Sequence, residues 1–169
     1  ETLTGIDATV PDRWVLVARD AFSGVLLWKR PVPNWGSPHF SGVPNTGAGV
    51  TTGRFTMPPH VGKRIVAVED KVYVTLGAAA PVTALDAATG EVLRVYPETA
   101  GADELLYTDG RLVVSLNQSA ADGFASKEKH VCAIDAESGR MLWKKGTFTG
   151  IWSTKGQDPF GRLELAAGD

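Results

Sequence analysis

Cysteine is nearly absent: Cys132 stands alone in 169 residues. No disulfide can form within the chain, and a zinc site built on several thiolates is excluded. Cys132 lies in the apolar run Val131-Cys132-Ala133-Ile134, which favours a small buried side chain over a nucleophile. Histidine is scarce too. His39, His60 and His130 have no metal-ligand spacing, and no Ser or Cys sits in a nucleophile elbow, so all three read as surface or loop histidines. Neither sign of charge dominates. The 17 Lys and Arg against 19 Asp and Glu leave a net charge of −2, with no basic block beyond short pairs such as Lys63-Arg64 and Lys144-Lys145. That excludes the concentrated positive face nucleic-acid binding needs. No window approaches the ~20 apolar residues of a membrane-spanning helix. Glu1-Thr2-Leu3-Thr4 lacks the pattern of a signal peptide, and the chain starts without Met, as it would with its native ends removed.

What is present is ordinary for a folded domain, 43% hydrophobic and 21% charged, and it repeats. Val17 to Trp28, Thr83 to Arg94 and Cys132 to Trp143 align without gaps. Each reads x-Ala-x-Asp-Ala-x-[Ser/Thr]-Gly-x-x-Leu-x, with Trp last in two of three. Ala18, Ala84 and Ala133 are the small residues of the pattern. Asp20, Asp86 and Asp135 can accept hydrogen bonds from the amides of a turn, and Gly24, Gly90 and Gly139 permit positive φ at its end. Apolar strand, Asp-led turn and apolar strand make a hairpin. Because the three Asp recur at one turn position, a structural role is favoured over metal ligation.

A second hairpin precedes two of the copies. Ile65 to Val68 and Val72 to Leu76 flank Glu69-Asp70-Lys71, and Glu104 to Tyr107 and Leu112 to Leu116 flank Asp109-Gly110. Each full repeat therefore holds four short strands, apolar at nearly every position as in sheets covered on both faces. Asn117-Gln118-Ser119 with Ala120 to Lys129 reads as a polar loop between strands. The Asp-to-Asp spacings of 66 and 49 residues suit propeller blades if the first interval carries an insertion. Residues 31–62 supply it, with six of the ten prolines together with Gly36, Gly42, Gly47, Gly49 and Gly53.

Ala-x-Asp-x-x-[Ser/Thr]-Gly-x-x-x-Trp resembles the tryptophan-docking motif of pyrroloquinoline quinone (PQQ) type β-propellers, shared by quinoprotein dehydrogenases and the assembly lipoprotein of bacterial outer membranes. The resemblance spans roughly residues 13–30 and 64–165. It implies that Trp28 and Trp143 rivet neighbouring blades and that Arg94, in place of Trp, weakens one rivet. The stretches around the insertion further resemble large propeller proteins of planctomycete-type bacteria, some of which carry a methyltransferase domain. No glycine-rich loop of that kind occurs here. WD40 and kelch signatures do not recur.

The fold expected is all-β: a propeller segment of four-stranded antiparallel blades, about three blades' worth of strands, incomplete as a ring. Residues 13–30 end one blade, 31–62 are the insertion, 64–96 and 103–145 are full blades, and 150–169 start the next. The function expected is a non-enzymatic scaffold or binding module within a larger, periplasmic or exported bacterial protein, a compartment implied by the resemblance alone. The alternative is a fragment of a PQQ-dependent oxidoreductase, with PQQ and calcium on the propeller axis and a carboxylate as base. The family's dehydrogenases place adjacent disulfide-bonded cysteines against the quinone, and a single Cys132 cannot. No catalytic, cofactor or metal residues are assigned, and no cofactor is expected. The partners expected are the remainder of the propeller or other copies of the chain, with no nucleic acid and no membrane span. A long loop on a rigid scaffold is where contacts concentrate. Trp35, His39, Phe40, Arg54, Phe55 and His60 are therefore the candidate contacts for a protein or small molecule, weighed against merely pinning the loop.

Overall fold

The computed structural model describes residues 14–33, 61–77, 79–118, 125–149 and 165. They are built from ten strands: β1 (Val15–Arg19), β2 (Leu26–Pro31), β3 (Ile65–Val68), β4 (Lys71–Thr75), β5 (Val82–Asp86), β6 (Val92–Tyr96), β7 (Ala102–Thr108), β8 (Arg111–Gln118), β9 (Ala125–Asp135) and β10 (Met141–Thr149). Every pairing is antiparallel between sequence neighbours. The result is one two-stranded sheet, β1-β2, and two four-stranded meanders, β3 to β6 and β7 to β10. These are the blades the repeat implied, and they do not close a ring.

The turns follow from their residues. Asp109-Gly110 joins β7 to β8 with φ of 47° and 73°, the paired positive values of the tight hairpin turn whose twist matches the strands. The Asp-led turns are described with the site below. Between the four-stranded sheets, Pro97–Thr99 forms a short 3-10 turn. The Thr99 hydroxyl accepts from the amide of Val82 at 2.7 Å and donates to the carbonyl of Tyr96 at 2.6 Å. A buried side chain thus fixes the crossing from one blade to the next.

The two central strands of the middle sheet, β4 and β5, are covered on both faces and so lack clean alternation of apolar and polar residues, whereas β6 is exposed from Val92 to Val95. Tyr73, Val82, Ala84 and Tyr96 pack toward Leu105, Leu112, Val114, Cys132 and Ile134 of the last sheet. Val72, Val74 and Leu85 pack the other way, toward Leu16 and Trp28 of the first. Burying each aliphatic side chain of this kind contributes about 1.5–3 kcal/mol, so these two interfaces hold the described structure together. β3 and β4 run beside β7.

Two expectations need correction. The polar stretch read as a loop to Lys129 is strand from Ala125: β9 pairs with β8 at Gln118↔Ala125 and with β10 at Phe148↔Lys129. Backbone bonding to strands on both sides overrides the weak strand preference of Lys and Glu there. His130, read as a surface or loop histidine, is half-buried within β9. A Cβ on Gly146 would run into its Nδ1, so a glycine stands beside that ring where the pairing of β10 shifts register between Lys145 and Phe148.

Candidate functional site

At one end of the blades stand three copies of the same turn. In the first, the Asp20 carboxylate accepts from the amide of Ser23 (2.7 Å), its hydroxyl (2.7 Å) and the amide of Phe22 (3.1 Å). Asp86 accepts from the amide of Thr89 (2.7 Å), its hydroxyl (3.0 Å) and the amide of Ala88 (2.9 Å). Asp135 accepts from the amide and hydroxyl of Ser138 at 2.7 and 2.6 Å. The amides of Gly24, Gly90 and Gly139 each return 2.9 Å to the carbonyl of their own Asp, at φ of 70°, 74° and 77°. The partner Ser or Thr holds each carboxyl below its usual range, through its amide first at Asp20 and Asp86 and through its hydroxyl first at Asp135. Three oxygens that could have served as bases or metal ligands are thus engaged in shaping turns.

Each outer strand carries an aromatic and a cationic side chain two residues apart, so both project from one face. Trp28 and Arg30 of β2 reach the second turn. The indole Nε1 donates to the carbonyl of Ala87 at 2.9 Å, and Arg30 Nη1 donates to the carbonyl of Gly90 at 3.0 Å. The indole lies so close over Gly90 that a Cβ there would sit 2.7 Å from the ring. Arg94 and Tyr96 of β6 reach the third turn in reversed order. Arg94 lies over Gly139 and donates from Nη1 to the carbonyl of Ser138 at 3.1 Å, while the Tyr96 hydroxyl donates to the carbonyl of Ala136. Ala87 and Ala136 each follow the Asp of their turn. The same backbone acceptor is therefore met at both junctions, by an indole in one and a phenol in the other. Burial first, then the neighbouring Tyr73, pushes the Tyr96 hydroxyl up to about 12, so it stays a donor.

The third pair is Trp143 and Lys145 on β10. Trp143 was expected between blades but is 41% exposed, because among the described residues no sheet stands beyond β10. Lys145 Nζ lies 5.9 Å from the centre of its ring, within cation–π reach. Of the small residues in the pattern, Ala84 and Ala133 are buried and Ala18 is half-buried opposite Trp28. Cys132 is fully buried, and burial pushes its thiol up to about 11.

Near these turns a cleft of about 100 Å³ opens between the four-stranded sheets. Tyr73 and Tyr107 stack there at 5.7 Å, and Lys71 Nζ reaches Asp70 at 3.3 Å and Glu137 at 3.8 Å.

The opposite end, where β3 and β7 begin, gathers charge that the sequence reading passed over. Lys63 Nζ lies 3.1 Å from Glu104 Oε1, and Glu104 Oε2 accepts from the amide of Leu165 at 3.1 Å. Arg64, Asp103, Ser115 and Lys129 are buried in the same end of the sheets, as is Thr75, whose amide donates to the carbonyl of Arg64 at 3.3 Å. The available signal was a charge just before an apolar strand: Arg64 before Ile65, and Asp103-Glu104 before Leu105. Trp35, His39, Phe40, Arg54, Phe55 and His60 all lie outside the described residues, as does the expected start of the next blade except for Leu165. The insertion nevertheless rejoins the fold at Val61–Lys63, on the end that carries this charged group.

Among the described residues no helix is long and apolar enough to cross a membrane. A search of curated proteins finds no match to the chain. The family model described as outer membrane protein assembly factor BamB, of PQQ-repeat type, matches residues 12–149. With four-stranded meanders, a recurrent Asp-led turn and most of its length inside that match, the chain belongs to the BamB-like family of PQQ-repeat β-propellers.

Proposed function

We propose that this chain is a non-enzymatic propeller module, a scaffold or binding surface within a larger bacterial PQQ-like repeat protein that is exported to the periplasm. The observation that carries the reading is the conserved logic of the two junctions. Trp28 with Arg30, and Arg94 with Tyr96, differ in order and type, yet both engage the carbonyl that follows the turn Asp. The side chains that recur along this chain thus serve blade-to-blade contact, and on this reading they are its docking motif.

Further support comes from the chemistry that the described residues leave over. One oxygen of each turn carboxylate is engaged by its own turn, the lone thiol is buried, and the cleft of about 100 Å³ is well below the roughly 300–1,000 Å³ of ordinary cofactor sites. The contact surface belongs at the end where Lys63, Arg64, Asp103 and Glu104 meet the returning insertion, since loops on a rigid scaffold carry recognition. The reading of export is supported by the family's description as an outer membrane protein assembly factor. The test is incubation with PQQ and calcium, then absorbance or mass measurement of retained quinone and a dye-reduction assay on alcohols and aldose sugars. No retained quinone and no turnover are expected; turnover that vanishes when PQQ is removed would establish the oxidoreductase instead.

A further inference from the structure

The cleft between the four-stranded sheets is built from hairpins at the turn end of the blades. Glu69 comes from the β3–β4 turn, Lys71 and Tyr73 from β4, Tyr107 from β7, and Glu137 from the turn between β9 and β10. Its volume of about 100 Å³ holds about three waters at their liquid volume of roughly 30 Å³ each, or one small planar ion. Tyr73 is stacked on Tyr107 at 5.7 Å and lies 6.3 Å from Tyr96. The Tyr96 hydroxyl is engaged by the carbonyl of Ala136. Tyr73 is only 3% exposed, yet among the described residues its hydroxyl meets no hydrogen-bond partner, and the opening its side chain keeps is toward the cleft it lines. A phenol buried that deeply ordinarily has a partner. Burial first, then the neighbouring Tyr107, pushes that hydroxyl up, so it is a neutral phenol with lone pairs to offer. The rim is acidic. Glu69 and Glu137 stand there against one cation, Lys71, whose ammonium is shared between Asp70 at 3.3 Å and Glu137 at 3.8 Å.

We infer that this cleft takes the guanidinium of an arginine side chain presented by a partner protein. The inference goes beyond the contact surface proposed at the opposite end of the blades and does not depend on what that end binds. A guanidinium is planar and weakly hydrated, so it lies against a tyrosine face while its fork of donors reaches carboxylates on either side. Here the carboxylates come from different sheets, Glu69 from the middle one and Glu137 from the last, and the unmet Tyr73 oxygen supplies a further acceptor. A compact ammonium is the poorer match, because it is a point charge and Lys71 already places one beside Asp70 and Glu137. The small volume decides the source of the group. Only the head of a ligand enters, so the rest of the molecule lies on the surface outside, as the backbone of a partner chain does. The Glu137 and Asp70 side chains are 88% and 74% exposed, so each charge pair adds modestly, and one arginine alone should bind with a Kd of about 1 mM.

The test is a nuclear magnetic resonance titration of the 169-residue chain with acetylated, amidated tripeptides that place arginine, lysine or citrulline between glycines. Citrulline keeps the shape of arginine and loses its charge. The arginine peptide is expected to shift the amides of Glu69, Gly110 and Glu137 saturably, the lysine peptide to bind at least about fivefold more weakly, and the citrulline peptide to leave them in place. Tyr73→Phe deletes the hydroxyl, keeps the ring, and should weaken the arginine peptide about tenfold, the size of a hydrogen bond to a charged group. Glu137→Gln should weaken it about fivefold, the size of an exposed charge pair. Lys71→Gln removes the competing cation and should tighten binding about threefold. A variant that has merely lost its fold cannot bind more tightly, and the amide spectrum reports the folding of each one directly. Equal shifts with all three peptides, shifts spread away from the cleft, indifference to both Tyr73→Phe and Glu137→Gln, or weaker binding by Lys71→Gln would each overturn the inference. Free arginine that binds more tightly than the tripeptide would overturn the assignment to a partner protein. The quinone assay judges the module reading separately.

Discussion

Replacing Gly90 by Ala tests the junction geometry most directly, because Gly24, Gly90 and Gly139 share one turn and one φ but differ in what lies above them. All three would suffer the left-handed backbone cost of a Cβ, about 1–2 kcal/mol, partly offset by the stiffer unfolded chain at about 0.4–1 kcal/mol. At Gly24 that is the whole effect, since nothing lies within 4 Å, and a loss of about 1 kcal/mol is expected. At Gly139 the added Cβ meets Arg94 Nη1 at 3.1 Å, the far end of a flexible side chain that can move aside, so the loss should rise only slightly. At Gly90 the Cβ would lie 2.7–3.1 Å from three ring carbons of Trp28. The indole is held by its bond to Ala87 and cannot retreat without breaking it. Overpacking of this kind costs about 1–3 kcal/mol more, for a total of about 2–4 kcal/mol. Urea unfolding followed by circular dichroism, at concentrations where chains do not associate, would measure the series. Adding Trp28→Ala should then make Gly90→Ala no worse than Gly24→Ala, because the clash has no second party. Equal losses at Gly24 and Gly90, or no coupling between Trp28 and Gly90, would refute the docking geometry.

Two further outcomes follow from the same contacts. Tyr96→Phe removes the hydroxyl that donates to the carbonyl of Ala136 and leaves that buried acceptor unmet, at a cost of about 1–3 kcal/mol; a loss near zero in urea unfolding would mean the bond contributes nothing. Asp135→Asn keeps an acceptor oxygen and deletes a titration. Because the folded Asp135 carboxyl is held below its ordinary 3.8, it contributes stability that is present above that value and lost as pH falls through the folded one. The variant should therefore lose less stability on acidification than the unaltered chain, and parallel pH profiles would contradict the linkage.

Blade architecture was legible because it rests on local chemistry that repeats. An Asp that caps its own turn and a Gly at positive φ announce a hairpin wherever they occur, and three copies in register announce a stack. The charged end was not legible. Arg64, Asp103, Glu104 and Lys129 look like ordinary solvated residues flanking strands, and only their burial distinguishes them. The start of β9 was hidden for a related reason: Ser126, Lys127 and Glu128 carry no strand signal, and neighbours on both sides impose the conformation.

The reading of Arg94 shows where the boundary lies. As one letter in the repeat it marks a missing tryptophan and a weakened rivet. In the folded chain Tyr96, two residues on, takes over the hydrogen bond while Arg94 covers the glycine, and that substitution of roles is invisible until β6 is set beside the β9–β10 turn. The sequence by itself determined the Asp-led turns and the apolar strands that flank them, because the hydrogen bonds that shape those turns lie within five residues. Only the tertiary structure decided which turns are filled and which tryptophan is left open, because those contacts join residues about 40–60 positions apart whose proximity no local preference specifies.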